Sequence, residues 1–435
     1  MFALLAPLFV SGPGPFGPFN GTLYPTADGR FKAQLPQGTT SIFTNGSWGP
    51  RDPSRENGGQ DHSTFLAALP SGELLLAWFS GQMESEDPMH TAMSRLAPGS
   101  SQWEATVVVP QTVQPSYSNQ NPVLLYDEQT ALLHLLHPTQ YVGLGQANST
   151  VVMLTSSDGG VTFSDPAPVF TGKGAFVRGA PLAARDGAII LPMYYTPQGY
   201  DPQTNYDYSA IQRSNADRSG GAALSWTEFA MQNSSGMAQP SVVRLLGKGS
   251  GAGELRAFFR DRFCDSIRVS VSKDDGKTWS APRKTRLPNN NSGIWAAALK
   301  SGAIAVVFNN AHLGRTPLTI ALSYDGGLTW PFLRDLEDEP LPLDHNCTCG
   351  RGWSPRGPPA PADQAADFYH KNCQPTFAYP TVMQTPDGAI HVSYDHNRQV
   401  AMYQRLTEEW VRGGVGSKGI AQPDSAQQPA AALNK

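Results

Sequence analysis

The sequence predicts an all-β chain folded as a six-bladed β-propeller. Three observations predict it: a turn motif recurs at blade spacing, short apolar runs fill the intervals, and Gly and Pro are abundant. The 435 residues include 43 Gly and 37 Pro. In a helix interior each Gly costs about 1 kcal/mol and each Pro about 3, so a mostly helical chain is excluded.

The motif is Ser-x-Asp-x-Gly-x-Thr followed by Trp or Phe. It stands at Ser156-Ser-Asp158-Gly-Gly160-Val-Thr162-Phe163, at Ser272-Lys-Asp274-Asp-Gly276-Lys-Thr278-Trp279 and at Ser323-Tyr-Asp325-Gly-Gly327-Leu-Thr329-Trp330. The Ser ends a strand, and the Asp accepts backbone N–H bonds across a tight turn. The Gly supplies positive φ, and the aromatic ring tucks inward as the next strand starts. Degenerate copies end at Trp103 and Trp226. The aromatics at 103, 163, 226, 279 and 330 are therefore 60, 63, 53 and 51 residues apart. These Asp residues read as turn caps and not as catalysts.

Between the turns lie strand-length runs: Glu73–Phe79, Ala188–Tyr195, Ala303–Phe308 and Ala389–Tyr394. A blade before Trp103 and another closing after Tyr379 bring the count to six. The propeller is expected over 46–412, with a Cys- and Pro-rich inserted loop at 338–375. A Pro/Gly-rich segment at 13–45 precedes it, and a disordered tail is expected at 413–435.

Charged residues make up 16% and the net charge is −4, with no long Lys/Arg run, so a basic nucleic-acid binder is excluded. No run of 18 apolar residues is present, so no membrane span is expected. Residues 1–12 read as an apolar start like the core of a secretory signal, without the positive flank and with Pro7 inside. Asn20, Asn45, Asn148, Asn233, Asn290 and Asn346 each open a glycosylation sequon, which favours secretion. Of the cysteines Cys264, Cys347, Cys349 and Cys373, three cluster with His345 and His370. That spacing matches no standard zinc pattern, and disulfides are the expected use. The chain is expected to be a monomer that needs no metal or other cofactor.

With these residues in view, the chain resembles the sialidase (neuraminidase) superfamily with Asp-box repeats, over roughly residues 60–405. It is most similar to the bacterial-type group of predicted neuraminidases. The segments that carry this are Gln120-Asn-Pro-Val-Leu124, Arg178-Gly-Ala-Pro181, Gln239-Pro-Ser241, Phe259-Arg-Asp-Arg262, Asn291-Ser-Gly293, Gly314-Arg-Thr-Pro317 and Tyr379-Pro380. The resemblance implies a propeller acting on a glycan that ends in an acidic sugar. It implies Tyr379 as nucleophile, Asp87 as acid/base, and Arg315 with Arg262 or Arg260 as cations for the substrate carboxylate. The chain departs from that pattern in three places. His62 stands where the family has its first arginine, Gln239 where it has the Glu that assists the Tyr, and Gln82 where an arginine is usual. Arg178 or Arg398 is the expected source of the missing cation.

The residue types suit the chemistry. Arginines bind a carboxylate through charge-assisted, bidentate bonds. A neutral phenol approaches an anomeric centre that already bears a carboxylate with less repulsion than a second carboxylate would. Gln239 cannot accept a proton, so Glu84 or another carboxylate would have to. His62 opens an alternative, a uronate lyase in which His62 or Tyr379 removes the proton beside an arginine-neutralised carboxylate. A non-catalytic glycan-binding propeller is the third reading.

Overall fold

A computed structural model describes residues 20–35, 60–81, 84–85, 89–172, 174–197, 207–221, 223–246, 251–343, 347, 375–414 and 416–424. Within them lie 27 strands and one short α-helix, Glu408–Arg412. No helix among them is long and apolar enough to cross a membrane.

The strands form antiparallel meanders arranged as a propeller. Four sheets of four or five strands are single blades. The fifth sheet has nine strands and holds two successive meanders, Gln60–Ala68 to Val107–Val108 and Val123–Asp127 to Ala167–Phe170. A single parallel pair, Met89 with Ser118, joins them. The six separate blades expected therefore appear as four single blades and one merged sheet. The merger arises because Tyr117–Asn119 extends alongside both Met89–Leu96 and Leu132–Tyr141.

Burial follows position in the blade. Leu74–Gly81 is buried along its whole length, and its first six residues are an unbroken apolar run, as suits a strand covered on both faces. The outer strand Arg283–Pro288 is largely exposed at its start. The motif turns behave as capped hairpins. Asp325 accepts from Leu328 N at 3.0 Å, Thr329 N at 2.9 Å and Thr329 Oγ1 at 2.6 Å, and Trp330 is buried beneath it.

The ends of the chain depart from expectation. Phe31–Gln34, inside the Pro/Gly-rich segment expected to precede the propeller, pairs with Val400–Leu406 in the closing sheet, Ala33 opposite Tyr403. The first described strands and the last thus share one sheet. Part of the expected tail is ordered: Asn310 Nδ2 donates to Ser417 Oγ and to the Ala421 carbonyl, both at 2.9 Å, and Asp424 accepts from Trp330 N. Most of the expected inserted loop lies outside the described residues. Cys347 within it and Cys264 are both disulfide-bonded, which removes Cys347 from the zinc reading. His345, Cys349, His370 and Cys373 lie outside the described residues. Asn290 is buried with its side chain on the Gly314 carbonyl, so this sequon is not a glycosylation site.

Candidate functional site

The site is built on bulges in three innermost strands. Pairing shifts register between His62 and Phe65, between Ala238 and Ser241, and between Ala378 and Thr381. Each bulge holds one non-glycine residue at positive φ: Ser63 at 58°, Gln239 at 50° and Tyr379 at 48°. Such conformers cost about 1–3 kcal/mol and persist where the surroundings enforce them. A bulge re-aims side chains, and here it turns Gln239 and Tyr379 toward each other. Pro240 and Pro380 follow them, at positions where a ladder N–H is not needed.

Tyr379 is the hub. Arg260 Nη1 donates to its hydroxyl at 2.7 Å and Gln239 Nε2 at 3.2 Å. Arg260 also bonds Gln239 Oε1 at 3.2 Å and Asn291 Oδ1 at 2.9 Å. Burial pushes the phenol up, but Arg260, Arg315 and the Gln239 bond together outweigh it, against opposition from Glu84. The phenol is brought down to about 8. Gly293 lets this happen at close range: a Cβ there would lie 3.3 Å from Gln239 Oε1 and 3.4 Å from the Tyr379 ring.

Three guanidinium carbons lie 5.3–5.7 Å from the Tyr379 ring centre, those of Arg178, Arg260 and Arg315. Burial, followed by the neighbouring Arg398, lowers Arg315 to about 10. Arg178 is also lowered to about 10, by burial. Its Nη2 donates to the Tyr379 and Pro380 carbonyls at 3.0 and 3.1 Å, so it clamps the bulge that presents the phenol. Neither Arg178 nor Arg260 is hydrogen-bonded to a carboxylate among the described residues, so the positive charge around the phenol is not neutralised by such a partner.

His62 is fully buried, its ring centre 4.2 Å from that of Tyr379 and 5.3 Å from that of Phe79. Its Nδ1 lies 2.7 Å from Asp395 Oδ2. Burial, then Arg398, Arg315, Arg178 and Arg260, hold the imidazole well below its ordinary value, so it is neutral. Arg398 reaches back to ion-pair with Glu84.

The structure thus brings together Tyr379, Gln239, His62, Arg260, Arg315, Arg178 and Arg398, drawn from strands and connecting loops of all five sheets. Arg262 does not approach the phenol in the same way. Its Nε donates to Asp207 at 2.7 Å, and Asn291 links it to Arg260. Burial alone would lower Arg262, but Asp207 overrides that and raises it. Asp87 and Gln82 lie outside the described residues. Glu84, the carboxylate considered in place of the missing Glu, is engaged by Arg398. Sequence reasoning passed over Asp395 and Asp207, whose partners are 333 and 55 residues away. It also passed over Asn291 as a bridge, although that residue sits in a segment noted for its resemblance. Among the described residues no group of three His, Cys, Asp or Glu side chains is placed to hold a metal ion. A cavity of about 780 Å³ near Leu69, Leu96, Trp295 and Met383 lies toward the other ends of the inner strands and holds none of the site residues.

Innermost strands that converge on a tyrosine ringed by arginines, within Asp-box blades, make this a sialidase-like propeller. The chain matches the BNR repeat-like domain family over residues 72–392 and belongs to that family. A protein of Bacteroides fragilis (strain YCH46) described as "Sialidase" is 27% identical over 199 residues, which covers 41% of this chain and 33% of that protein. The chain thus matches only about a third of that relative's length. Among solved structures, the Hadza microbial sialidase Hz136 superposes with a TM-score of 0.61 at 16% identity, covering 81% of this chain and 66% of that one. The intramolecular trans-sialidase from Ruminococcus gnavus gives 0.57 at 14%, covering 81% and 95%. A protein of unknown function from Dyadobacter fermentans gives 0.56 at 16%, covering 81% and 96%. At such identities the likeness speaks for the fold alone.

Proposed function

We propose that the chain is a sialidase-like exo-glycosidase that removes a terminal acidic sugar, sialic acid or a similar one, from a glycan. The observation that carries this reading is the Tyr379 phenol seated on Arg260 among buried arginines, two of which, Arg178 and Arg260, hydrogen-bond no carboxylate among the described residues. A sugar carboxylate supplies the missing negative charge. The phenol, brought down to about 8, is partly phenolate near neutral pH, and its hydroxyl is held by Arg260 and Gln239. Arginine charge replaces the base that Gln239 cannot be.

In the first step the Tyr379 oxygen bonds to the anomeric carbon while the bond to the leaving glycan oxygen breaks. That oxygen takes a proton from Asp87, the role the resemblance gives it. Water then adds at the anomeric carbon, its proton returns to Asp87, and the phenol oxygen leaves. Arg260 and Arg315 hold the carboxylate, and Arg178 holds the nucleophile's backbone.

A uronate lyase is the second reading, favoured by His62, whose ring lies tilted against Tyr379 with Nδ1 on Asp395. The disulfides at Cys264 and Cys347 support an exported chain. The deciding experiment is the mass of products from a panel of sialylated and uronate-capped glycans. Fragments that together gain one water support the hydrolase. An unsaturated fragment with no gain supports the lyase, and no product from either class sinks both.

A further inference from the structure

Asp395 lies on Ile390–His396, the second strand of the closing sheet's C-terminal meander, opposite Ala378 in the ladder. From there its carboxylate crosses to another sheet and meets His62, and neither side chain has any exposed surface. The His62 ring is fixed on its other sides by Phe79 and Tyr379. With Nδ1 taken by Asp395 at 2.7 Å, Nε2 has no hydrogen-bond partner among the described residues. A buried nitrogen without a partner is uncommon in a well-packed interior and calls for a reason.

A neutral imidazole carries one N–H, and the group on one nitrogen decides which nitrogen bears it. When Asp395 is ionised, Nδ1 donates to it and Nε2 is a bare lone pair. When Asp395 is protonated, its O–H donates to Nδ1 and Nε2 carries the hydrogen. Passing from the second state to the first releases one proton: the Nε2 hydrogen leaves and the carboxyl hydrogen shifts to Nδ1. We propose that Asp395 is a positioning residue that sets the tautomer of His62, so that Nε2 changes from hydrogen-bond donor to acceptor as the pair loses a proton. The inference concerns the pair itself and stands whichever reaction the site runs.

The surroundings favour this over a charged imidazole. The charges of Arg178, Arg260, Arg315 and Arg398, on strands or loops of four different sheets, each oppose an imidazolium. Asp61 on its own strand accepts from Ser80, and Glu84 is engaged by Arg398. The Tyr379 phenol is a further titratable neighbour. Burial raises the Asp395 carboxyl to about 7, although Arg398 and Arg315 pull it down. The exchange therefore falls near neutral pH.

The test is long-range ¹H–¹⁵N correlation of the histidine side chains in the full chain between about pH 5 and pH 9, where an unperturbed histidine would titrate. His62→Gln assigns the signal. The expected result is one N–H on His62 throughout, moving from Nε2 to Nδ1 as pH rises, with no doubly protonated ring. In Asp395→Asn the tautomer is expected to be independent of pH. A wild-type His62 that becomes imidazolium in this range, or keeps one tautomer across it, overturns the proposal. So does a tautomer change that survives in Asp395→Asn. The wild-type titration decides the matter by itself if the variant does not fold.

Discussion

Arg260 Nη1 donates to the Tyr379 hydroxyl over 2.7 Å, and both side chains are buried. The guanidinium is the leading influence that lowers the phenol against burial. Activity that depends on the phenolate should rise with pH through about 8. In Arg260→Met that rise should move toward the ordinary tyrosine range near about 10. Tyr379→Phe should abolish it, with turnover down on the order of 10³-fold or more. The folded-state phenol is depressed, so its stabilising share is present above the unfolded tyrosine value and is lost as pH falls through about 8. Ultraviolet tyrosinate titration of wild type against Tyr379→Phe reads this directly. No extra phenol ionising near 8 would end the argument.

Arg178 separates two roles that look alike in the sequence. A substrate cation, once removed, raises KM. A clamp on the Tyr379 and Pro380 carbonyls, once removed, lowers kcat and stability together. Arg178→Met should destabilise the chain by about 1–3 kcal/mol through carbonyls left short of donors. The fall in kcat should exceed the rise in KM. Urea unfolding and steady-state kinetics on one preparation test both, and a change confined to KM would reverse the assignment.

Asp325→Ala should weaken the fold and leave the site intact. Burial would raise its carboxyl, but Thr329, Ser323 and the Leu328 N–H outweigh it and hold the carboxyl below the usual range. The stabilisation is therefore present above the unfolded carboxylate value and is lost as pH falls through the depressed one. Loss of a turn cap costs roughly 1 kcal/mol, less where solvent screens it. Turnover per folded molecule should not change, and a large fall in kcat would contradict the structural reading of these motifs.

The parts of the molecule that sequence reasoning reached are those whose signal is local. An Asp box closes its own hydrogen bonds within about seven residues, so Asp158, Asp274 and Asp325 stand out by spacing alone. Gln239-Pro240 and Tyr379-Pro380 were reached through short segments that carry the family resemblance, and each proves to sit at a bulge. What stayed hidden depends on distant partners. Choosing Arg260 over Arg262 requires knowing that Asp207 takes Arg262. Asp395 looks like any strand residue until His62 is placed beside it. Phe31–Gln34 is too short to announce itself, and its partner strand begins at Val400.

That short strand supports the final prediction. Ala33 has no exposed surface and sits opposite Tyr403, whose ring centre lies 5.0 Å from that of Trp103. Leu23, Leu35, Trp78 and Trp103 join them in one apolar cluster, so the N-terminal segment ties the closing sheet to the merged one. Lys32 Nζ adds a buried ion pair to Glu337 at 2.6 Å. A variant lacking residues 1–35 would leave Val400–Leu406 as an apolar edge with unpaired N–H and C=O groups, a template for aggregation. Thermal unfolding and light scattering should show a lower midpoint and self-association. Ala33→Leu, which overpacks the cluster and keeps the pairing, should lower stability by about 1–3 kcal/mol without aggregation. Overpacking and an opened edge thus predict different outcomes at one position in the fold. A truncated chain that stays monomeric with an unchanged midpoint would show that the ring closes without this strand.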